Sequence, residues 1–98
     1  MGMSLSERVR ASVAALMHAT GESQARIAHV LGVTQGQVSR RQSGVAAWSL
    51  GDCDALAAHF GIGALDLVAG PTRACEALPA ARRVAPTRRD ATDGKAVR

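Results

Sequence analysis

The sequence predicts an all-α fold of five short helices within residues 1–70, followed by a basic tail over residues 71–98. Two observations predict the helices. Apolar residues recur at the three- and four-residue spacing of amphipathic helices, and the segments are punctuated by capping residues and glycines. No segment shows the alternation of a half-buried strand, so no sheet is predicted. The tail is predicted from an uneven distribution of charge.

The first predicted helix begins at a capping box formed by Ser4 and Glu7, whose side chains each bond the other residue's backbone amide. Five apolar residues then recur at helical spacing: Leu5, Val9, Val13, Leu16 and Met17. This pattern predicts an amphipathic helix that ends near residues 18–21.

The second and third predicted helices are joined by a tight turn. Ser23 is placed to cap the second helix, and Gly32 suits the left-handed conformation at its end. Thr34 and Gln37 form another capping box, which places the third helix at about residues 35–42. Two helices connected in this way form a helix-turn-helix.

The helix-turn-helix spans residues 23–44, and its second helix has a polar face. At 3.6 residues per turn, Val38 points away from that face and can anchor the helix to a core. The polar face comprises Gln35, Gly36, Ser39, Arg40 and Ser43. The glutamine, serine and arginine side chains of this face can bond base edges and phosphates.

Two further helices complete the predicted domain. Trp48 is expected to fill the gap between the third and fourth helices, and Ser49 and Asp52 cap the fourth. Its inner side is formed by Cys53, Leu56, Ala57 and Phe60, and it ends at Gly61.

The fifth predicted helix, Ala64–Ala69, is capped by Gly63 and has Leu65 and Val68 facing inward. Gly70 and Pro71 are then expected to close the domain.

Positive charge is concentrated in the predicted tail. Residues 1–70 carry five arginines and five acidic residues, for a net charge of zero, whereas residues 71–98 carry seven cationic and three acidic residues, for +4. The arginine pairs at 82–83 and 88–89 either keep the chain solvated or contact phosphates without regard to sequence. Because helical periodicity fades after Pro71, removing the tail is expected to leave the core folded, although residues 73–78 can still form one or two helical turns.

The spacing of Gln24, Ala28, Gly32, Val33 and Val38 resembles the helix-turn-helix of Cro/repressor-type regulators of phages and bacteria, the lambda repressor-like or XRE family. The resemblance extends over about residues 23–70. It implies a compact five-helix domain that binds double-stranded operator DNA as a homodimer.

The resemblance also implies roles for individual residues. Gln24 would touch a phosphate and brace Gln35, and the base-contacting positions carry over to Gly36, Ser39 and Arg40. The full set of predicted DNA-binding residues is Gln24, Thr34, Gln35, Gly36, Gln37, Ser39, Arg40, Arg41 and Ser43.

Two residues depart from the pattern of that family. Arg41 stands where an apolar residue is usual, so its stem is expected to pack while its guanidinium reaches a phosphate or a carboxylate on the following helix. Gly36 offers no side chain at a position that often reads a base. Specificity is therefore expected to depend on Gln35, Ser39 and Arg40.

The sequence contains no constellation typical of catalysis or of cofactor binding. His18, His29 and His59 do not combine with Cys53 or Cys75 in a zinc-binding spacing, and no glycine-rich loop follows a strand. We therefore expect neither an enzyme, a cofactor, a metal site nor a small-molecule substrate. The two scattered cysteines, and the lack of a secretory or membrane-spanning segment, predict a cytoplasmic protein without membrane contact.

The interpretation is a small regulator of transcription, a Cro-like protein or a short immunity repressor, because residues 71–98 are too few for the C-terminal dimerisation domain of larger repressors. The alternative is an antitoxin or another protein-interaction module that keeps the helix-turn-helix fold without reading DNA.

Overall fold

The structure, a computed structural model, describes residues 2–84 of the 98-residue chain. In this part of the chain six α-helices follow one another: α1 (Leu5–Thr20), α2 (Gln24–Leu31), α3 (Gln35–Ser43), α4 (Leu50–Phe60), α5 (Ala64–Ala69) and α6 (Pro71–Ala77). A short 3₁₀ turn, Ala80–Arg82, comes after α6. The all-α prediction is confirmed.

The helix boundaries follow from local capping chemistry. The predicted boxes at the starts of α1, α3 and α4 are all formed; at α3, for example, Thr34 Oγ1 accepts from the Gln37 amide at 3.1 Å and Gln37 Oε1 accepts from the Thr34 amide at 2.9 Å. The helix α2 ends at Gly32, whose φ of 71° lies in the left-handed region that glycine adopts without steric cost. These starts and stops agree with the sequence prediction because they depend on residues close in sequence.

The core forms where the inner faces of the helices meet. Its largest fully buried apolar side chains are Val13 and Leu16 of α1, Ile27 of α2, Val38 of α3, Leu56 and Phe60 of α4, and Leu67 of α5. The prediction for α5 is partly wrong: Leu65 is 82% exposed and Leu67 is buried in its place. Ser12 of α1 fixes this orientation by donating from its buried hydroxyl to the Leu67 carbonyl at 2.7 Å.

The sixth helix follows Gly70, the residue at which the sequence predicts the end of the domain. Pro71 is the first residue of α6, a position where its fixed φ and missing amide are favourable, so it begins a helix instead of closing the domain. The helix α6 packs on α1 and α5 and buries Ala74, and Leu78 just after it is also in the core. The folded unit therefore continues beyond residue 70.

The segment after α6, residues 78–84, crosses the C-terminal ends of α1 and α4. The Val84 amide donates to the Ala19 carbonyl at 2.9 Å, and Pro79 lies against Gly61 at the end of α4. The remainder of the predicted tail, residues 85–98, lies outside the described residues.

Three polar side chains hold this segment in place. His59 Nε2 of α4 lies 2.6 Å from Glu22 Oε1, and Arg82 Nη2 donates to Glu22 Oε2 at 2.8 Å. Arg82 also donates to the His59 carbonyl and lies over the Phe60 ring at 6.0 Å. Burial by itself would raise the pKa of Glu22, but the hydrogen bonds and positive charge of His59 and Arg82 outweigh it, so the pKa is lowered.

A Glu22→Gln substitution should therefore reduce stability at neutral pH. Because the folded-state pKa is lowered, the carboxylate stabilises the fold above its ordinary value of 4.5, and this stabilisation is lost as the pH falls through the folded-state pKa. We expect a loss of about 1–2 kcal/mol at pH 7, since the bonds with His59 and Arg82 would then be made by a neutral amide instead of a carboxylate. Denaturant melts from pH 7 to pH 3 should show the variant and wild type converging at acid pH; a constant gap would contradict the charge-based explanation.

Candidate nucleic-acid interface

The helices α2 and α3 are joined by the turn Gly32-Val33-Thr34. The Val33 amide donates to the Ala28 carbonyl at 3.0 Å, which finishes α2, and the Val33 side chain packs against the core. Thr34 then caps α3, so only three residues separate the two helices. This is a helix-turn-helix over the segment where the sequence predicts one.

The helix α3 has one buried side and one exposed side. Val38 is completely buried and contributes to the core. The residues predicted for the polar face, Gln35, Gly36, Ser39, Arg40 and Ser43, are all exposed. The division of this helix into an anchored face and an open face is therefore as predicted.

Gln42 secures the C-terminal half of α3, a role that the sequence pattern does not indicate. Its amide nitrogen donates to the Arg10 carbonyl of α1 at 3.2 Å, and its oxygen accepts from the indole nitrogen of Trp48 at 2.8 Å. The buried ring of Trp48 needs a partner for its N–H group, and only the folded chain shows that Gln42 supplies it. The orientation of the open face is thus fixed from two directions.

Arg41 extends toward α4. Its Nε lies 3.4 Å from Asp52 Oδ2, and its guanidinium carbon lies 5.7 Å from the centre of the Trp48 ring. Of the two partners considered for this guanidinium, the structure shows the carboxylate on the following helix. Arg41 thus joins α3 to α4 in the free protein.

The other predicted residues divide between local bonds and open positions. The Thr34 hydroxyl and the Gln37 oxygen are engaged in the α3 cap, and the Ser43 hydroxyl donates to the Arg40 carbonyl at 3.1 Å. Gln24 is half-buried at the first position of α2, whereas Gln35 is exposed at the first position of α3. The predicted contact between these two glutamines is not among the hydrogen bonds of residues 2–84.

The charge of the helix-turn-helix differs from that of the rest of the domain. Residues 23–44 contain Arg26, Arg40 and Arg41 and no acidic residue, for a net charge of +3, so the remainder of residues 1–70 carries −3. Arg26 and Arg40 are exposed, and the guanidinium of Arg10 lies against the backbone of Gly44 at the end of α3. A neutral total therefore conceals an uneven distribution of charge, whose positive part lies on the helix-turn-helix.

Replacing Arg41 with leucine should change the free energy of unfolding by less than about 1 kcal/mol. A single, partly exposed ion pair is worth about 0–1 kcal/mol and the cation–π contact about 0.5–1 kcal/mol, and a leucine packed on Trp48 recovers part of this. Asp52 is not left without a partner, because it still accepts from the Ser49 amide at 3.1 Å. Thermal melts beside Arg40→Leu, a substitution at an exposed neighbour, give the measurement and its control. A loss above about 2 kcal/mol would show that Arg41 is essential to the packing of α3 on α4.

Residues 2–84 contain neither a membrane-spanning helix nor a cluster of metal ligands. None of the helices in residues 2–84 is long and apolar enough to cross a lipid bilayer. In the same part of the chain, no three His, Cys, Asp or Glu side chains are grouped to hold a metal ion. His59 is engaged with Glu22, and Cys53 is buried, with the pKa of its thiol raised by burial and by the nearby Asp52 and Asp54.

Comparison with known proteins identifies the family of this chain. The model of the BetR domain matches residues 3–92, which is most of the chain and includes all six helices. Neither a curated protein nor a solved structure matches the chain. The more specific resemblance to Cro/repressor-type regulators, which rests on the spacing of residues in the sequence, remains a prediction. The match over nearly the whole length shows that this chain belongs to the BetR domain family, a family of small helix-turn-helix-like domains.

Proposed function

We propose that the chain is a sequence-specific DNA-binding regulator of transcription, of the kind of a Cro-like protein or short immunity repressor, that occupies operator DNA as a homodimer. The observation that carries the proposal is the open face of α3, where Gln35, Ser39 and Arg40 are exposed on a helix anchored by Val38 and Gln42. A rigidly held helix with such side chains suits the major groove, where arginine bonds guanine and glutamine bonds adenine through two hydrogen bonds each.

In the proposed complex, phosphate contacts position the domain and base contacts provide specificity. The free amides at the start of α2, with Gln24 and the exposed Arg26, would hold the DNA backbone. Gln35, Ser39 and Arg40 would then meet base edges, and Gly36 would let the α3 backbone approach closely because it adds no side chain. Arg41 would contribute through the orientation of α3, since its guanidinium is engaged with Asp52.

The test is a gel-shift experiment with DNA from upstream of the gene, carried out over a salt series with random competitor DNA. The proposal expects specific binding that survives competitor, with two protected segments of an inverted repeat whose centres lie about one helical turn, roughly 34–36 Å, apart. A protein-interaction module that does not recognise DNA would show no preference for any sequence over random competitor. That result, obtained in a selection from a random library as well, would refute the proposal.

Removing residues 85–98 should weaken DNA binding mainly at low salt. These residues include Arg88, Arg89, Lys95 and Arg98, and the plot of log K against log salt should flatten by about 0.9 for every phosphate that the shortened chain no longer binds. If the segment binds two to four phosphates, the slope would fall by roughly 2–4, and specific and random DNA would be affected similarly, because phosphates carry no sequence information. Replacing the four cations with glutamine in the full-length chain is the matched control. An unchanged slope would show that the charge of this segment serves solubility alone.

A further inference from the structure

An apolar groove with exposed leucines at its margin lies on the face formed by α1, α4 and α5. The groove has a volume of about 110 Å³ and is lined by Leu5 and Val9 of α1, Trp48 just before α4, Leu50 and Cys53 of α4, and Val68 of α5. Within the described part of the chain, Ser6 is its only polar lining residue, and no charged residue lines it. We call this surface, together with Leu65, the α4–α5 face.

The leucines of the α4–α5 face protrude into solvent. Leu50 is 80% exposed, Leu65 is 82% exposed, and Leu5 is more than half exposed. Leu65 lies one helical turn before Val68, so it continues the groove wall along α5. Single exposed leucines are ordinary on a soluble protein, but several around one apolar groove are typical of an interaction site.

We propose that the α4–α5 face binds the same face of a second copy of this chain, related by a two-fold axis. An isologous interface requires one surface to contain both the projecting group and the space that receives it. This face has both, because its leucines project and its groove is somewhat smaller than the roughly 150 Å³ apolar cavity that accepts a benzene ring, a suitable size for a leucine side chain.

The charge of this face also favours a second copy. Residues close to a two-fold axis meet their own equivalents, so any like charge there would be repelled. The described lining of the groove is uncharged, whereas the basic surface of the helix-turn-helix lies on other residues. A nucleic acid or an anionic membrane would meet none of those cations in the groove, while the uncharged lining of an identical groove adds no like charge at the centre of the interface.

The position of the face relative to α3 suits a DNA-binding dimer. Only the linker of residues 44–49 separates the end of α3 from Leu50, so the face begins on the helix that directly follows α3. This inference rests on the proposed function in one respect, that a symmetric dimer is what such a regulator needs to read two half-sites. Its test, however, requires no DNA.

The experiment compares full-length wild type with Leu50→Glu and Leu65→Glu by sedimentation equilibrium, from nanomolar to high micromolar concentration. Both leucines lie in the first turn of their helices, where an acidic residue is favoured, so circular dichroism should show folded variants. The proposal expects each substitution, which occurs twice in the dimer, to weaken association by about 100-fold or more. Val45→Glu, at a residue that is 75% exposed but outside the groove, should leave association unchanged.

Two additional measurements identify the interface. Trp48 is the only tryptophan and lines the groove, so the emission of wild type should shift to longer wavelength on dilution through the dissociation constant. Mixing Leu50→Glu with Leu50→Lys should restore dimers that neither variant forms alone, because opposite charges would then face each other across the axis.

The possible outcomes separate this proposal from the proposed function. A wild type that stays monomeric at high micromolar concentration, or a dimer unaffected by both leucine substitutions, would overturn the α4–α5 interface even if the chain binds DNA. A dimer that is abolished in the leucine variants would support the interface even if no DNA is bound, and the proposed function would then fail by itself.

Discussion

Truncation after Gly70 is expected to remove a large part of the domain's stability. The deletion removes α6 and Leu78, and it uncovers the side of α1 on which α6 packs. Removal of the buried Leu78 alone costs about 1.5–3 kcal/mol, and the uncovering of α1 adds to this. The total should exceed about 4 kcal/mol, whereas a folded unit of this size has a total stability of only about 4–12 kcal/mol. Thermal melts followed by far-UV circular dichroism should show a transition far below the wild-type temperature, or none.

Truncation after Val84 provides the matched control for that experiment. It keeps α6, the Arg82–Glu22 ion pair and the bond from the Val84 amide to Ala19, so it should melt cooperatively close to the wild-type temperature. A stable, cooperative domain ending at Gly70 would show that α6 is an accessory helix. It would also restore the boundary that the sequence suggests.

Arg40→Ala and Gln35→Ala should each weaken specific DNA binding by about 1–3 kcal/mol, roughly 5- to 150-fold. In the proposed complex each substitution would remove a bidentate pair of hydrogen bonds to a base edge, so each should relax the preference at one base position while leaving stability unchanged. The unchanged stability follows from the structure, because both side chains are exposed. Binding is measured by titration against the preferred site and against the same site with single base changes.

Arg26→Ala is the control for these two variants. It removes an exposed cation from α2 that is assigned to phosphate, so it should weaken binding to specific and random DNA alike and reduce the salt slope by about 0.9. If Arg40→Ala and Gln35→Ala behaved like Arg26→Ala, the open face of α3 would bind the DNA backbone and would not determine specificity.

Local chemistry explains which parts of this structure are predictable. The capping boxes at Ser4, Thr34 and Ser49 and the left-handed glycine at Gly32 depend on residues within one helical turn, so the sequence places the first five helices correctly. The anchored and open faces of α3 follow from its period of 3.6 residues. The predicted domain end at Gly70 rests on Pro71, but proline is favourable both after the end of one helix and at the first position of the next.

The remaining features depend on contacts between residues distant in sequence. In a helix as short as α5, periodicity does not decide between Leu65 and Leu67; its packing on distant residues does, including Ser12, which bonds the Leu67 carbonyl from 55 residues away. The same applies to the partners of Gln42 and Arg41, which become defined only when α1, the linker and α4 surround α3. Half-buried polar bridges of this kind leave no periodic signal in the sequence.

The packing of α6 on α1 has a consequence for the order of events during synthesis. The helix α1 leaves the ribosome first, yet it packs on α6, the last of the described α-helices. Glu22 likewise pairs with Arg82, which is synthesised 60 residues later. The nascent helix-turn-helix, although complete by residue 44, therefore lacks its finished core until residue 84 has emerged. Pulse labelling with limited proteolysis on stalled ribosomes should find the chain sensitive until that point, so that the helix-turn-helix becomes stably folded only after most of the domain has been translated.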